Sequence, residues 1–210
     1  MNKIVQKAQG GHFMKKLKIS PISLFWILAL IFSNSPHLTE AAIAISVHEA
    51  GHLAAARILH IDIKSITLSL VGARMECKST PSYKKELALA AAGPCAGAVL
   101  SLFCFLINND SPPLFYLGAI SLALTVFNLI PLPSLDGGRI LFCAASLLFP
   151  LSVSLKITKL CGFLSLFSLW LLSVYLLIKT ASGVSMFVFC AFFFAKCFIF
   201  NSKNGDFERF

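Results

Sequence analysis

Thr39-Glu40-Ala41-Ala42-Ile43-Ala44-Ile45-Ser46-Val47-His48-Glu49-Ala50-Gly51-His52-Leu53-Ala54-Ala55-Ala56-Arg57-Ile58-Leu59-His60 is the stretch on which the fold turns. It is apolar for most of its length, yet His48, Glu49 and His52 fall within five residues. A helix of roughly 20 apolar residues crosses about 30 Å of hydrocarbon, and Thr39 is suited to cap its start. On a helix, residues four apart share a face. Two imidazoles so placed can grip one Zn²⁺ at about 2.0–2.1 Å each. Glu49 projects beside them and can take a proton from water at the metal and pass it to a leaving amine. Gly51 is expected to leave space next to the metal.

An incidental pair of histidines is the competing reading. With five His and five Glu in 210 residues, chance supplies roughly 0.003 occurrences of the three-residue pattern, which disfavours accident. Energetics disfavour it further. Ionisable groups inside a membrane cost roughly 2.5–3.5 kcal/mol each on insertion scales. Three in one apolar helix need a compensating partner, and a divalent cation is the natural one. One Zn²⁺ per chain is therefore expected.

Outward from this stretch the chain is built for lipid. Hydrophobic residues make up 57% and charged ones 13%, where soluble domains carry about 25% charged. The net charge of +9 raises the question of nucleic acid. However, no basic stretch is interleaved with aromatics on a polar scaffold, so nucleic acid is excluded as a partner. Six of the seven Cys lie in apolar runs and Cys77 in a basic loop, with no CxxC pair. They read as small buried apolar residues rather than disulfides.

The hydropathy pattern predicts about six transmembrane helices in an all-α membrane bundle. They fall near 19–34, 40–60, 86–107, 113–130, 157–178 and 183–200. The apolar segment 138–149 is too short to span and is expected to re-enter or pack against the bundle. With the N-terminus in the cytoplasm, seventeen of the 18 Lys and Arg fall inside and Lys179 alone outside, as the positive-inside rule demands. Both termini are then cytoplasmic in a multi-pass protein, expected in a bacterial cell membrane, and the His48–His52 site lies toward the cytoplasmic half. The organisation expected is a basic N-terminus over 1–18, one membrane domain over 19–200 and a short tail over 201–210. Met14 precedes Lys-Lys-Leu-Lys and is an alternative start. Near-alternation of Ile61, Ile63, Ile66, Leu68 and Leu70, with Gly72 as a turn, predicts a short cytoplasmic β-strand region after the second span.

Two histidines leave a catalytic zinc one protein ligand short. Asp136 is the candidate, in Asn128-Leu-Ile-Pro131-Leu-Pro133-Ser-Leu-Asp136-Gly137-Gly138-Arg139. The prolines stop the helix and the glycines let the backbone turn. Non-helical backbone at membrane depth belongs where it is buried or lines a watery cavity. The alternative is a solvated cytoplasmic Asp-Gly turn. Asn128 either hydrogen-bonds the loop or a substrate backbone, or satisfies carbonyls at its own helix end. Ala91-Ala92-Gly93-Pro94 breaks the third span, for packing or to open room beside the catalytic helix. His12, His37 and His60 show no ligand spacing.

HEAGH in an early span, a Gly-Pro pair in the next, and then Asn-x-x-Pro-x-Pro-x-x-Asp-Gly-Gly-Arg together resemble the site-2 protease family of intramembrane metalloproteases. The resemblance spans about residues 20–150 and is greatest to the branch that includes the stage IV sporulation protein FB, since no PDZ domain is inserted. It implies that His48, His52 and Asp136 hold zinc, that Glu49 is the general base, and that Asn128 and Pro133 position the substrate. It implies cleavage of membrane-associated or single-span proteins, a sporulation pro-sigma factor among them, with regulatory membrane proteins as further partners. Cys95-Ala96-Gly97 departs from relatives that carry Asn after the Gly-Pro pair, and the nucleotide-sensing CBS domain of some sporulation relatives is not expected here. The competing functional class is a catalytically silent scaffold or metal carrier of the same fold. A transporter would be expected to show repeat symmetry and charges in several spans, and neither is present.

Overall fold

The structure, a computed structural model, describes residues 14–19, 36–69, 72–77, 81–107, 111–132 and 134–180. The chain divides into two units, Met1–Asn128 and Leu129–Phe210.

The first unit is organised around helix α1 (Leu38–Ile58). Its buried residues, Ala44, His48, His52 and Ala56, recur every four positions and form one stripe. The helix ends in a Schellman motif: Ile61 N–H donates to Ala56 O and His60 N–H to Arg57 O. His60 supplies the left-handed residue at φ 53°, and Ile61 packs with Ala56 and Leu89, the apolar contact that accompanies this stop. Lys85 Nζ donates to Leu59 O at 3.0 Å, satisfying another terminal carbonyl.

Helix α2 (Tyr83–Ile107) runs through Pro94 and opens with Glu86 in its first turn, where a carboxylate suits the helix dipole. Helix α3 (Pro112–Asn128) begins with two prolines, whose missing N–H groups cost nothing there. The buried residues of α2 include Gly93, Gly97, Ser101 and Cys104; those of α3 are Gly118, Ser121 and Thr125. Small residues let the backbones approach, which is how helices associate without a hydrophobic driving force. Two reciprocal bonds join this pair: Ser101 Oγ donates to Gly118 O and Ser121 Oγ to Gly97 O, both at 2.9 Å. Large apolar side chains point the other way. Val99, Leu102, Phe103, Leu106, Leu122 and Val126 are all exposed. Such a surface would be an aggregation hazard in water; it is ordinary in lipid.

The unit also carries a three-stranded sheet in the order β1-β2-β3. Strand β2 (Ile63–Ser69) pairs antiparallel with β3 (Gly72–Cys77), from Ile63↔Cys77 to Ser69↔Gly72. Strand β1 (Met14–Ile19) pairs parallel with β2, from Met14↔Ile63 to Ile19↔Leu68. It falls on the basic N-terminal segment, for which no element is expected before the span at 19.

In the second unit, a short loop leads into α4 (Asp136–Leu148), followed by α5 (Leu151–Thr180). Pro150 sets the start of α5, with Val153 and Ser154 N–H donating to its carbonyl. The helix therefore begins six residues before the expected span at 157. Ser154, Thr158, Leu166 and Ser173 are buried, while Leu160, Phe163, Leu164, Leu171 and Ile178 are exposed. Thr158 and Ser168 return their hydroxyls to carbonyls four residues back.

Two described helices are long and apolar enough to cross a membrane, Tyr83–Ile107 and Leu151–Lys179. Helix α1 has 21 residues, but Glu40, His48, Glu49, His52 and Arg57 lower its apolarity. Helix α3, at 17 residues, is shorter. The spans expected at 19–34 and 183–200 lie outside the described residues, except for Ile19 at the end of β1.

Candidate metal centre

The spacing in α1 does bring the two imidazoles together. His48 and His52 are 4% and 5% exposed, and their Nε2 atoms lie 3.3 Å apart. The rings stand at 78° with centroids 4.9 Å apart. The Nδ1 of His52 lies 2.8 Å from Leu89 O on α2. A carbonyl can only accept, so Nδ1 carries the proton and Nε2 is left with its lone pair. A carbonyl behind the ring nitrogen opposite the donor is the usual arrangement at metal-binding histidines.

The pair fits zinc. Two nitrogens at about 2.0–2.1 Å from one tetrahedral ion stand roughly 3.3–3.4 Å apart, which matches the observed separation. Glu49, half-buried, follows His48 directly on the helix.

The space beside the pair comes from a different glycine than the spacing suggests. Gly51 packs against α2 rather than against the imidazoles: a Cβ there would lie 2.6 Å from Ala92 O and 2.7 Å from the Ala96 Cβ. Its role is to let α1 approach the α2 backbone. Gly93 is the residue that opens the site, since a Cβ on it would run into His52 Nε2 and sit 2.6 Å from Cε1. Pro94 cannot donate to the carbonyl of Ala90, so the α2 ladder is incomplete one residue beyond the Leu89 carbonyl that accepts from His52. Leu89 is not distinguishable in sequence as a partner of His52, because it acts through its main chain; Gly93 lies in the Ala91-Ala92-Gly93-Pro94 break, for which packing or room beside the catalytic helix is expected.

In the second unit Asp136 is 8% exposed and lies 3.6 Å from Arg139 Nη1 through Oδ1. It does not sit in an Asp-Gly turn. It occupies the first turn of α4, after Leu135 as N-cap, with Gly137 and Gly138 helical and buried. A carboxylate is favoured at a helix N-terminus, and the turn is made earlier, by Leu132 N–H to Ile130 O and Leu135 N–H to Leu132 O. Gly137 permits this loop to fold back on the helix, because a Cβ would run into Leu129 O and lie 2.6 Å from Ile130 O.

Asn128 is half-buried at the end of α3, and its Nδ2 donates to Leu124 O at 3.0 Å. The amide nitrogen thus serves its own helix end. Pro133 lies outside the described residues. Among the described cysteines, Cys104 and Cys143 are buried as expected, whereas Cys95 faces outward.

A paired-imidazole centre on a helix within a fold that turns its large apolar side chains outward is the arrangement of membrane-embedded zinc peptidases. The model of peptidase family M50 matches residues 41–111 and 108–172, and the chain belongs to this family. Zinc is the metal of the family, and the donor set of α1 suits it.

The chain is 39% identical over 125 residues to the Synechocystis protein sll0528, whose name places it with the zinc metalloproteases; the match covers 55% of this chain and 31% of that protein. It is 28% identical over 185 residues to zinc metalloprotease MJ0392 of Methanocaldococcus jannaschii, covering 82% of this chain and 50% of the relative. The chain thus spans half or less of the length of these curated relatives. Its fold resembles the solved site-2 protease from Methanocaldococcus jannaschii with a TM-score of 0.60, at 21% identity over 88% of this chain and 89% of that one.

Proposed function

We propose that this chain is an intramembrane zinc endopeptidase that cuts membrane-associated or single-span proteins. The observation that carries the reading is the His48–His52 pair, with Nε2 atoms 3.3 Å apart and the His52 tautomer set by Leu89 O. Family membership and the zinc-metalloprotease names of both relatives support it.

In this reading His48 and His52 hold the metal and Asp136 is the third protein ligand. Support for Asp136 comes from the Asn-x-x-Pro-x-Pro-x-x-Asp-Gly-Gly-Arg motif and from a buried carboxylate at the head of α4. When bound, zinc polarises the scissile carbonyl and lowers the pKa of its water toward about 7. Glu49 takes the proton from the attacking water at a carboxylate oxygen and returns it to the departing amine nitrogen. The His52 Nδ1–H bond keeps that ring from rotating as charge moves. Asn128 offers its Oδ1 to a substrate N–H while Nδ2 stays on Leu124 O, and Pro133 helps position the substrate, as the motif implies.

The substrate must be locally extended, because carbonyls in a helix are already hydrogen-bonded. An extended segment can add to a sheet edge, and β3 is one of the two edges among the described strands. Cytoplasmic termini and a site toward the cytoplasmic half are supported by the charge distribution, and one protease domain across 19–200 by the succession of apolar runs. Membership of the sporulation branch, with a pro-sigma factor as substrate, rests on motif order and on the strands that follow α1.

The test is co-expression or co-reconstitution with single-span candidates, comparing wild type with Glu49→Gln. An endopeptidase keeps zinc and loses cleavage in the variant. If a metal carrier or scaffold, the protein would show no product with either.

A further inference from the structure

We propose that Thr125 positions the substrate: its hydroxyl donates a hydrogen bond to a main-chain carbonyl of an extended peptide lying beside the His48–His52 pair. The inference rests on the endopeptidase reading above.

Thr125 is 4% exposed, and its Oγ1 is buried with no hydrogen-bond partner. Buried hydroxyls are otherwise bonded. Among the described helices most buried hydroxyls have an obvious recourse, Ser146 Oγ being the other one without a partner. Ser46, Thr158 and Ser168 bond the carbonyl four residues back. Ser101 and Ser121 bond a carbonyl of the helix opposite. Thr125 does neither, although the Ser121 carbonyl lies one turn behind it. Its hydroxyl is instead directed at Gly97, where a Cβ would run into Oγ1.

That direction connects it to the metal pair. Gly97 and Gly93 are one turn apart on α2, so their side-chain positions share a face and lie about 5–6 Å from one another. Gly93 faces His52 Nε2 and Gly97 faces Thr125 Oγ1. One glycine strip on α2 is therefore packed on by a metal-binding nitrogen from α1 and an unspent donor from α3, too closely for a methyl at either glycine, so a peptide meets this donor only where the helices part. An extended peptide advances about 3.3 Å per residue, so a hydroxyl one turn along the strip reaches a carbonyl about two residues from the scissile bond. A valine at 125 would fill the same volume without burying a donor; the hydroxyl is what requires explanation.

The test uses the full-length protein in detergent or vesicles, with a reporter made of one apolar span between two soluble tags. Reporter affinity is measured in the Glu49→Gln background, with Thr125→Val and Thr125→Ser added, and cleavage is measured with Glu49 intact. Thr125→Val should weaken reporter binding about fivefold, the scale of one lost hydrogen bond. Zinc content should be unchanged, and Thr125→Ser should restore affinity. Equal affinity within twofold for Thr125→Val overturns the proposal. So does loss of zinc, which would make Thr125 part of the metal support, and so does a Ser variant as weak as Val, which would make the role one of packing. If the reporter is bound in a Thr125-dependent way but never cut, the endopeptidase reading falls and the positioning role stands. If it is cut equally with Val at 125, the reverse holds.

Discussion

The Nδ1 of His52 donates to the main-chain carbonyl of Leu89, 2.8 Å away on the neighbouring helix. This bond fixes which ring nitrogen can bind metal, and it ties the orientation of a ligand on α1 to the backbone of α2. Any change that alters how these helices approach should therefore be read out in zinc before it is read out in folding.

Gly93→Ala is the sharpest such change, because the added methyl would clash with the His52 ring at Nε2. Losses of about 10- to 100-fold in metal affinity follow when a ligand's support is removed, and at least that is expected here with helix content preserved. Zinc retention against a chelator series checks it. Wild-type affinity in the alanine variant would mean that His52 does not bind through Nε2.

Removing the metal should abolish cleavage, and stoichiometric zinc should restore it. His48→Ala and His52→Ala should each bind well under one zinc per chain, measured by elemental analysis, and should not recover on zinc addition. Full zinc content in either variant would place the ion elsewhere.

Glu49→Gln keeps nearly the same shape and removes the proton acceptor. Zinc should stay at one per chain while turnover falls by about 10²-fold or more. Retained turnover would assign the proton transfer to another group.

The α2–α3 crossing gives a test of the fold alone. Ser121→Ala removes the bond to Gly97 O, and a cross-helix bond in a membrane is worth about 0.6 kcal/mol, up to about 1.7. Unfolding in mixed micelles should show a loss of that order. An unchanged or raised stability would show the bond to be incidental.

Gly137→Ala forces a methyl against the carbonyls of Leu129 and Ile130. Overpacking of this kind costs about 1–3 kcal/mol. The loop before α4 should become more open to proteolysis, with zinc loss alongside if Asp136 is a ligand. Zinc content unaffected by an opened loop would count against Asp136.

Much of the site was legible because it depends on helical periodicity. His48 and His52 are four apart, and no tertiary information is needed to bring them to one face. The limits of α2 and α3 were also within reach, since Pro112 and the polar turn before it punctuate the pattern. Misreadings arose where main chain rather than side chain carries the interaction. Gly51 and Gly93 are indistinguishable as letters, yet one is pressed against Ala92 O and the other against an imidazole. Asp136-Gly137-Gly138 reads as a turn by local propensity, but the turn is closed upstream by main-chain bonds around Leu132, which frees the aspartate to begin a helix. β1 alternates only over the four residues Lys16-Leu17-Lys18-Ile19, and among the described strands it pairs through β2, a long-range partner that no local window contains.

The His52–Leu89 bond also bears on how this chain can vary. Its acceptor is a peptide carbonyl, so the identity of residue 89 matters little to the bond, and any apolar letter could stand there. What cannot vary is the count. One residue inserted into or removed from the turn between Leu89 and Gly93 would rotate the carbonyl by about 100° about the helix axis relative to the residues that pack α2 and turn it away from His52. The orientation of the metal ligand is thus inherited as a length rather than as a letter, and drift that spares every conserved-looking residue could still extinguish the site by a single-codon insertion.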